Sequence, residues 1–228
     1  MNEADHPRSI RSFVVRGGRI TEAQQRALTR LWPRYGVEFS PQRLDLDTLF
    51  GRGARRVIEI GFGNGENLTA LARANPEQDY LGIEVHPPGV GRLLMSLESL
   101  GLTNVRVSQH DAVEVLAQQI APGALDEILI LFPDPWPKKR HHKRRLVQPE
   151  FARVAAERLK AGGLLKLATD WGPYAEHMLE VLNACPPLYN LSPSREFVAR
   201  DLHRSATRFE RRGERLGHDV WELAYRRR

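Results

Sequence analysis

Between residues 55 and 184 the sequence alternates short apolar runs of strand type with stretches of helical period. Residues 56–61 (RVIEIG), 80–85 (YLGIEV), 105–108, 125–132 (LDEILILF) and 164–169 read as strands. Residues 67–74, 90–100, 112–120, 149–160 and 174–184 read as the helices between and after them, with Pro76 closing the first. The run at 125–132 is the most apolar, as expected of a central strand covered on both faces. Five βα units with short connections predict a doubly wound α/β sheet, mostly parallel, with helices on both faces. Residues 219–225 (DVWELAY) alternate well enough for one more strand near the C-terminus, expected to run antiparallel to the rest. In such sheets ligands bind at the carboxyl ends of the strands, where strand order reverses. Gly61, Glu84, Asp111, Asp134 and Asp170, each at a strand end, are therefore predicted to share one edge.

With 228 residues, 41% of them apolar, the chain is long enough to bury roughly 70–75% of its unfolded surface in one sizeable core. The longest apolar run, 128–132, is far short of the roughly 20 residues a membrane span requires. Asp5, Arg8 and Arg11 interrupt any signal-peptide pattern, and the single Cys185 excludes an internal disulfide. A cytoplasmic location, no membrane contact and no obligate protein partner are expected. Residues 1–40 are Arg-rich and are expected to form a mobile arm with one short helix, leaving 41–228 as the catalytic domain.

Charge is unevenly placed. Residues 1–40 carry +3, 138–145 carry +6 and 195–228 carry +4, so the rest of the chain carries −7 within a total of +6. An acidic body with three basic pieces is the footprint of a polyanion-binding face if those pieces converge, and of three unrelated solvated stretches if they do not.

The turn Glu59-Ile60-Gly61-Phe62-Gly63-Asn64-Gly65 lies between a strand and a helix. Gly61, Gly63 and Gly65 permit a tight turn and close approach of a ligand to the backbone. Glu84, closing the second strand, is placed to accept hydrogen bonds from both hydroxyls of a ribose, and Asp111, closing the third, to reach an adenine amino group. NAD and S-adenosylmethionine both carry an adenosine. The GxGxG spacing, the absence of a basic residue in the turn and Glu59 ahead of it favour S-adenosylmethionine, with S-adenosylhomocysteine as product. Here the sequence resembles the class I methyltransferases, whose Rossmann-like fold matches the architecture predicted above.

Three prolines, Pro133, Pro135 and Pro137, follow the central strand and cannot continue its hydrogen-bond ladder. They fix the chain at the strand end and project Asp134 and Trp136 toward the cleft. The string FPDPWPKKRHHKRR (132–145), with IEIGFGNGE (58–66), GIEVH (82–86), HDA (110–112), TDW (169–171) and TRFERRG (207–213), resembles the bacterial tRNA (guanine-N7-)-methyltransferase family. The resemblance runs from about residue 55 to the C-terminus. It implies methylation of N7 of a guanine in the tRNA variable loop, with tRNA as partner. It further implies Glu59, Glu84, Asp111 and Asp134 as cofactor contacts, with Asp134 also catalytic. Lys138, Asp170, Thr207, Arg208, Phe209 and Glu210 match substrate contacts, and Arg140, His141, His142, Lys143, Arg144 and Arg145 match the stretch that meets RNA. Arg208 stands where the family commonly has Lys, a swap that keeps the charge and changes the geometry.

Trp136 and Phe209 are candidates to stack on the target guanine, or are ordinary packing residues. His110, His141, His142 and His218 lack ligand-spaced acidic or cysteine partners, so no metal is expected. Two other readings remain: a non-catalytic RNA-binding protein on a methyltransferase fold, and a methyltransferase for another target. The intact carboxylates and glycine turn argue against the first. Against the second stand the basic distribution and the FPDPW string, in the place where methyltransferases of exocyclic or amide nitrogens often carry an NPPY-like loop.

Overall fold

The computed structural model describes residues 11–14, 19–200 and 219–228. Thr207, Arg208, Phe209 and Glu210 lie outside the described residues. Eight strands form one sheet: β1 (Gly36–Val37), β2 (Arg55–Ile60), β3 (Gln78–Ile83), β4 (Val105–Ser108), β5 (Leu125–Leu131), β6 (Leu159–Thr169), β7 (Leu188–Asn190) and β8 (Trp221–Arg227). Their order is β1-β4-β3-β2-β5-β6-β8-β7. Strands β1 to β6 pair in parallel, and β8 runs antiparallel to both β6 and β7. The doubly wound sheet and its antiparallel C-terminal strand are as predicted.

The helices are α1 (Glu22–Tyr35), α2 (Leu46–Phe50), α3 (Glu66–Ala74), α4 (Pro87–Ser99), α5 (Ala112–Glu114), α6 (Pro149–Arg158) and α7 (Gly172–Asn183). One face of the sheet buries Ile58, Ile83, Ile128, Ile130, Leu165 and Tyr225 in a cluster that includes Phe151 and Ala155 of α6 and Met178 of α7. On the other face Val57, Tyr80 and Leu129 join Leu68 of α3, Leu93 and Leu97 of α4 and Leu31 of α1.

The structure departs from the sequence reading in four places. Residues 22–37 are not a mobile arm with one short helix. Helix α1 is 14 residues long, opens with a capping box between Thr21 and Gln24, and buries Ala27, Leu31 and Tyr35. It crosses α4 so closely that a Cβ on Gly91 would lie 2.9 Å from the Gln24 carbonyl oxygen. Arg30 grips Glu98 through two hydrogen bonds, and the chain then adds β1 beside β4. Second, the helix expected over 112–120 is three α residues followed by a π turn, Val115–Gln119. Carbonyls of this wider turn, those of Leu116 and Ala117, accept from the buried Arg158. Third, α6 stops at Arg158, because Leu159 already pairs with Leu125 and starts an 11-residue β6. Fourth, α2 and β7 are elements the sequence reading does not contain.

Candidate active site

Strand order reverses at β2, which has β3 on one side and β5 on the other. The crevice at that switch point is flanked by the two loops that the sequence marks out, the glycine turn after β2 and the proline loop after β5.

In the first loop Gly61, Gly63 and Gly65 all have positive φ, at 71°, 57° and 76°. A Cβ added at Gly61 or Gly63 would meet nothing within 4 Å, so these two glycines face open space. At Gly65, which opens α3, a Cβ would sit 2.6 Å from Leu93 Cδ1; its role is packing. Glu84 is buried and oriented by three backbone donors: Gly63 N–H at 2.9 Å, Val85 N–H at 2.7 Å and His86 N–H at 3.0 Å. Charge-assisted bonds of this kind fix a carboxylate at about 1.5–3 kcal/mol each. Asp111 caps α5 by accepting from Val113 N–H at 3.0 Å, and burial pushes its carboxyl above the usual range.

A cavity of about 260 Å³ joins these groups. Its wall includes Gly61, Gly63, Glu84, Asp111 and Asp134, with Ser12, Phe13, His86 and His110. Its size is just under the usual range for small-ligand sites. Glu59 is not on this wall: it lies beneath the turn, 2% exposed, and accepts from Asn67 Nδ2 at 3.0 Å. Burial pushes its carboxyl up to about 7. A larger groove of about 400 Å³ opens on the α3 face of the sheet, where Glu127 neutralises Arg55 and Lys166, and it contains none of the strand-end carboxylates.

The proline loop holds two non-glycine residues in the left-handed region, Phe132 at φ 53° and Trp136 at φ 46°. Each such residue costs about 1–3 kcal/mol and persists only where its surroundings hold it. Asp134, between them, is exposed at the cavity mouth. Trp136 is not an open stacking platform. Its indole N–H donates to the Ser12 carbonyl at 2.9 Å, Arg144 lies 5.1 Å over its ring, and His141 meets it edge-on at 5.7 Å.

Lys138 leads into a 3₁₀ helix, Lys139–Arg144. Lys138, Lys139, Arg140 and Lys143 are exposed, and His141, His142 and Arg144 are half-buried. Partial burial and then the surrounding cations push His141 below its ordinary value, favouring the neutral ring. Arg145 differs from the rest of the run. It is buried among the Pro135 carbonyl, the Pro173 carbonyl and the Tyr174 ring, so it is closed off from the surface that the exposed cations of the run present. Asp170 sits half-buried just past β6, on the same edge as Asp134 but off the cavity wall. Ser12 and Phe13 carried no signal in the sequence, since the Ser12–Trp136 bond spans 124 positions. Among the described residues no cluster of His, Cys, Asp and Glu is fit to hold a metal, and no helix is long and apolar enough to cross a membrane.

A family profile described as "Putative methyltransferase" matches residues 54–223. The tRNA (guanine-N(7)-)-methyltransferase of Methylococcus capsulatus is 57% identical over 224 residues, 98% of this chain and 96% of its own. The chain belongs to the tRNA (guanine-N7-)-methyltransferase family. Members from Alkalilimnicola ehrlichii (59% identical, 97% of this chain and 94% of that one) and Leifsonia xyli (56%, 95% of both) match over the same extent. Among solved structures, the 16S rRNA methyltransferase KamB superposes with a TM-score of 0.55 at 17% identity, over 82% of this chain and 94% of its own. An O-methyltransferase from Thermotoga maritima gives 0.51 at 16%, over 80% and 63%. At these identities the likeness is one of fold: the chain shares the Rossmann-like sheet of these methyltransferases.

Proposed function

We propose that the protein transfers a methyl group from S-adenosylmethionine to N7 of a guanine in the variable loop of tRNA, leaving S-adenosylhomocysteine and 7-methylguanosine. The observation that carries this reading is the single cavity walled by the glycine turn, Glu84, Asp111 and Asp134, with the cationic 3₁₀ helix following directly from the Asp134 loop. The open space at Gly61 and Gly63 fits a ligand lying against the backbone, and the preset Glu84 carboxylate fits a ribose diol. S-Adenosylmethionine supplies a methyl group on a sulfonium sulfur, an electrophile that needs no activation by a metal.

Guanine N7 presents a lone pair and no proton, so the nucleophile is ready without a base. The work left to the protein is alignment and management of charge. Positive charge builds on the purine as the bond forms, and the Asp134 carboxylate at the cavity mouth stabilises it while accepting from the guanine N1–H and 2-amino groups. Asp170, one strand over, offers the base a second acceptor. Asp111 receives the adenine amino group, and Glu59 with Asn67 supports the turn from below. Lys138, Lys139, Arg140, Lys143 and Arg144, with His141 and His142, hold phosphates, and Thr207, Arg208, Phe209 and Glu210 complete the substrate side. The catalytic domain extends N-terminal of residue 41, since α1 packs on α4 and Ser12 and Phe13 line the cavity.

A transcript in which guanosine is replaced by 7-deazaguanosine tests the nucleophile. It should bind with the affinity of ordinary tRNA and accept no methyl group. Methylation of the deaza transcript would overturn the assignment to N7.

A further inference from the structure

Arg145 closes the basic run, yet only 3% of its surface is exposed. Its Nε donates to the Pro135 carbonyl at 3.0 Å, its Nη1 donates to the Pro173 carbonyl at 3.3 Å, and its Nη2 lies 3.3 Å from His142 Nε2. The guanidinium carbon sits 4.9 Å from the Tyr174 ring centre. Tyr174 is itself buried and accepts from Val147 N–H at 3.2 Å. Among the described residues no carboxylate forms an ion pair with Arg145.

This placement joins two neighbouring strand ends. Pro135 follows Asp134 in the loop after β5, while Pro173 and Tyr174 form the head of α7, just beyond Asp170. The loop it grips has positive φ at Phe132 and Trp136, a shape that relaxes unless it is tied from outside. A buried guanidinium without a counter-charge is a poor choice for filling space, because an apolar side chain of similar volume avoids the desolvation penalty. What the guanidinium supplies is a planar fork reaching several acceptors in fixed directions. Arginine keeps its charge in such a site.

We infer that Arg145 is a positioning residue for methyl transfer: it clamps the Asp134 loop to the head of α7 and so sets the placement of Asp134 relative to Asp170, without touching tRNA itself. The inference rests on the function proposed above for Asp134 and Asp170.

The test compares Arg145→Met and Arg145→Lys with Arg140→Gln in the full chain. Four readouts are needed: single-turnover methyl transfer, the Kd for S-adenosylhomocysteine, the tRNA Kd with its salt dependence, and amide hydrogen exchange across residues 131–136. For Arg145→Met, transfer should slow at least about tenfold while both Kd values stay within about threefold. The salt slope should not change, and exchange across 131–136 should quicken about tenfold or more. Arg145→Lys keeps the charge but not the fork, and should fall between Met and the parent. Arg140→Gln should show the reverse: weaker tRNA binding, a shallower salt slope and unchanged exchange. Loss of tRNA affinity with a shallower slope in Arg145→Met would make Arg145 a phosphate contact and overturn the clamp. Transfer within about twofold of the parent, or unchanged exchange, would overturn it equally. Should Arg145→Met fail to fold, Arg145→Lys carries the same readouts, with smaller shifts in the same directions expected and the same results overturning the clamp. Exchange does not depend on the chemistry, so a parent protein that methylates no tRNA overturns the proposed function separately from the clamp.

Discussion

The Asn67 side-chain amide donates to the Glu59 carboxylate at 3.0 Å, in a buried pair beneath the glycine turn. Asn67 lies in the first turn of α3 and Glu59 near the end of β2, so the bond ties the strand to the helix across the turn that faces the cavity. It offsets only part of the cost of burial, which pushes Glu59 up to about 7 from 4.5.

That shift gives stability a defined pH dependence. The folded protein holds a proton on Glu59 that the unfolded chain releases, so the contribution is fully present below 4.5 and is lost as pH rises through about 7. It amounts to at most about 3 kcal/mol. Chemical denaturation of Glu59→Gln should therefore show a smaller loss of stability between pH 5 and pH 8 than the parent. An equally steep fall in both would contradict the assignment.

Gly63 has φ 57° and faces open space. Gly63→Ala should lower unfolding stability by only about 1–2 kcal/mol, the cost of a left-handed alanine. Affinity for S-adenosylhomocysteine, measured by titration calorimetry, should fall more than tenfold, since the new methyl group enters the ligand's space. Unchanged affinity would place the ligand elsewhere.

The phosphate binding proposed for the exposed cations predicts a salt signature. Lys139→Gln, Arg140→Gln and Lys143→Gln should each reduce the slope of log K for tRNA against log salt by a little under one. Their affinity for S-adenosylhomocysteine should stay at the parent value. A slope that does not respond to any of the three would remove the 3₁₀ helix from the RNA interface.

Much of this architecture is legible in the sequence, because it depends on local pattern. The five parallel strands of the βα series, the glycine turn and the proline loop follow from periodicity and from residues with restricted or unusual backbone freedom. Their shared edge then follows from parallel pairing alone. What the sequence hides depends on distant partners. Helix α1 looks like part of a polar arm until Gly91 lets α4 approach it. Arg145 is one more cation in a basic run until Pro135, Pro173 and Tyr174 close around it. Ser12 has no distinguishing neighbour, and only folding brings its carbonyl to Trp136. Two of the three basic pieces meet there, the segment containing Arg11 and the run after Trp136.

The most direct measurement incubates the protein with methyl-labelled S-adenosylmethionine and bulk tRNA, digests the RNA and identifies the labelled nucleoside, beside an Asp134→Ala control. Label in 7-methylguanosine, reduced at least about tenfold in the control, is the predicted result. Label in any other nucleoside, or no label from the unaltered protein, would contradict the account.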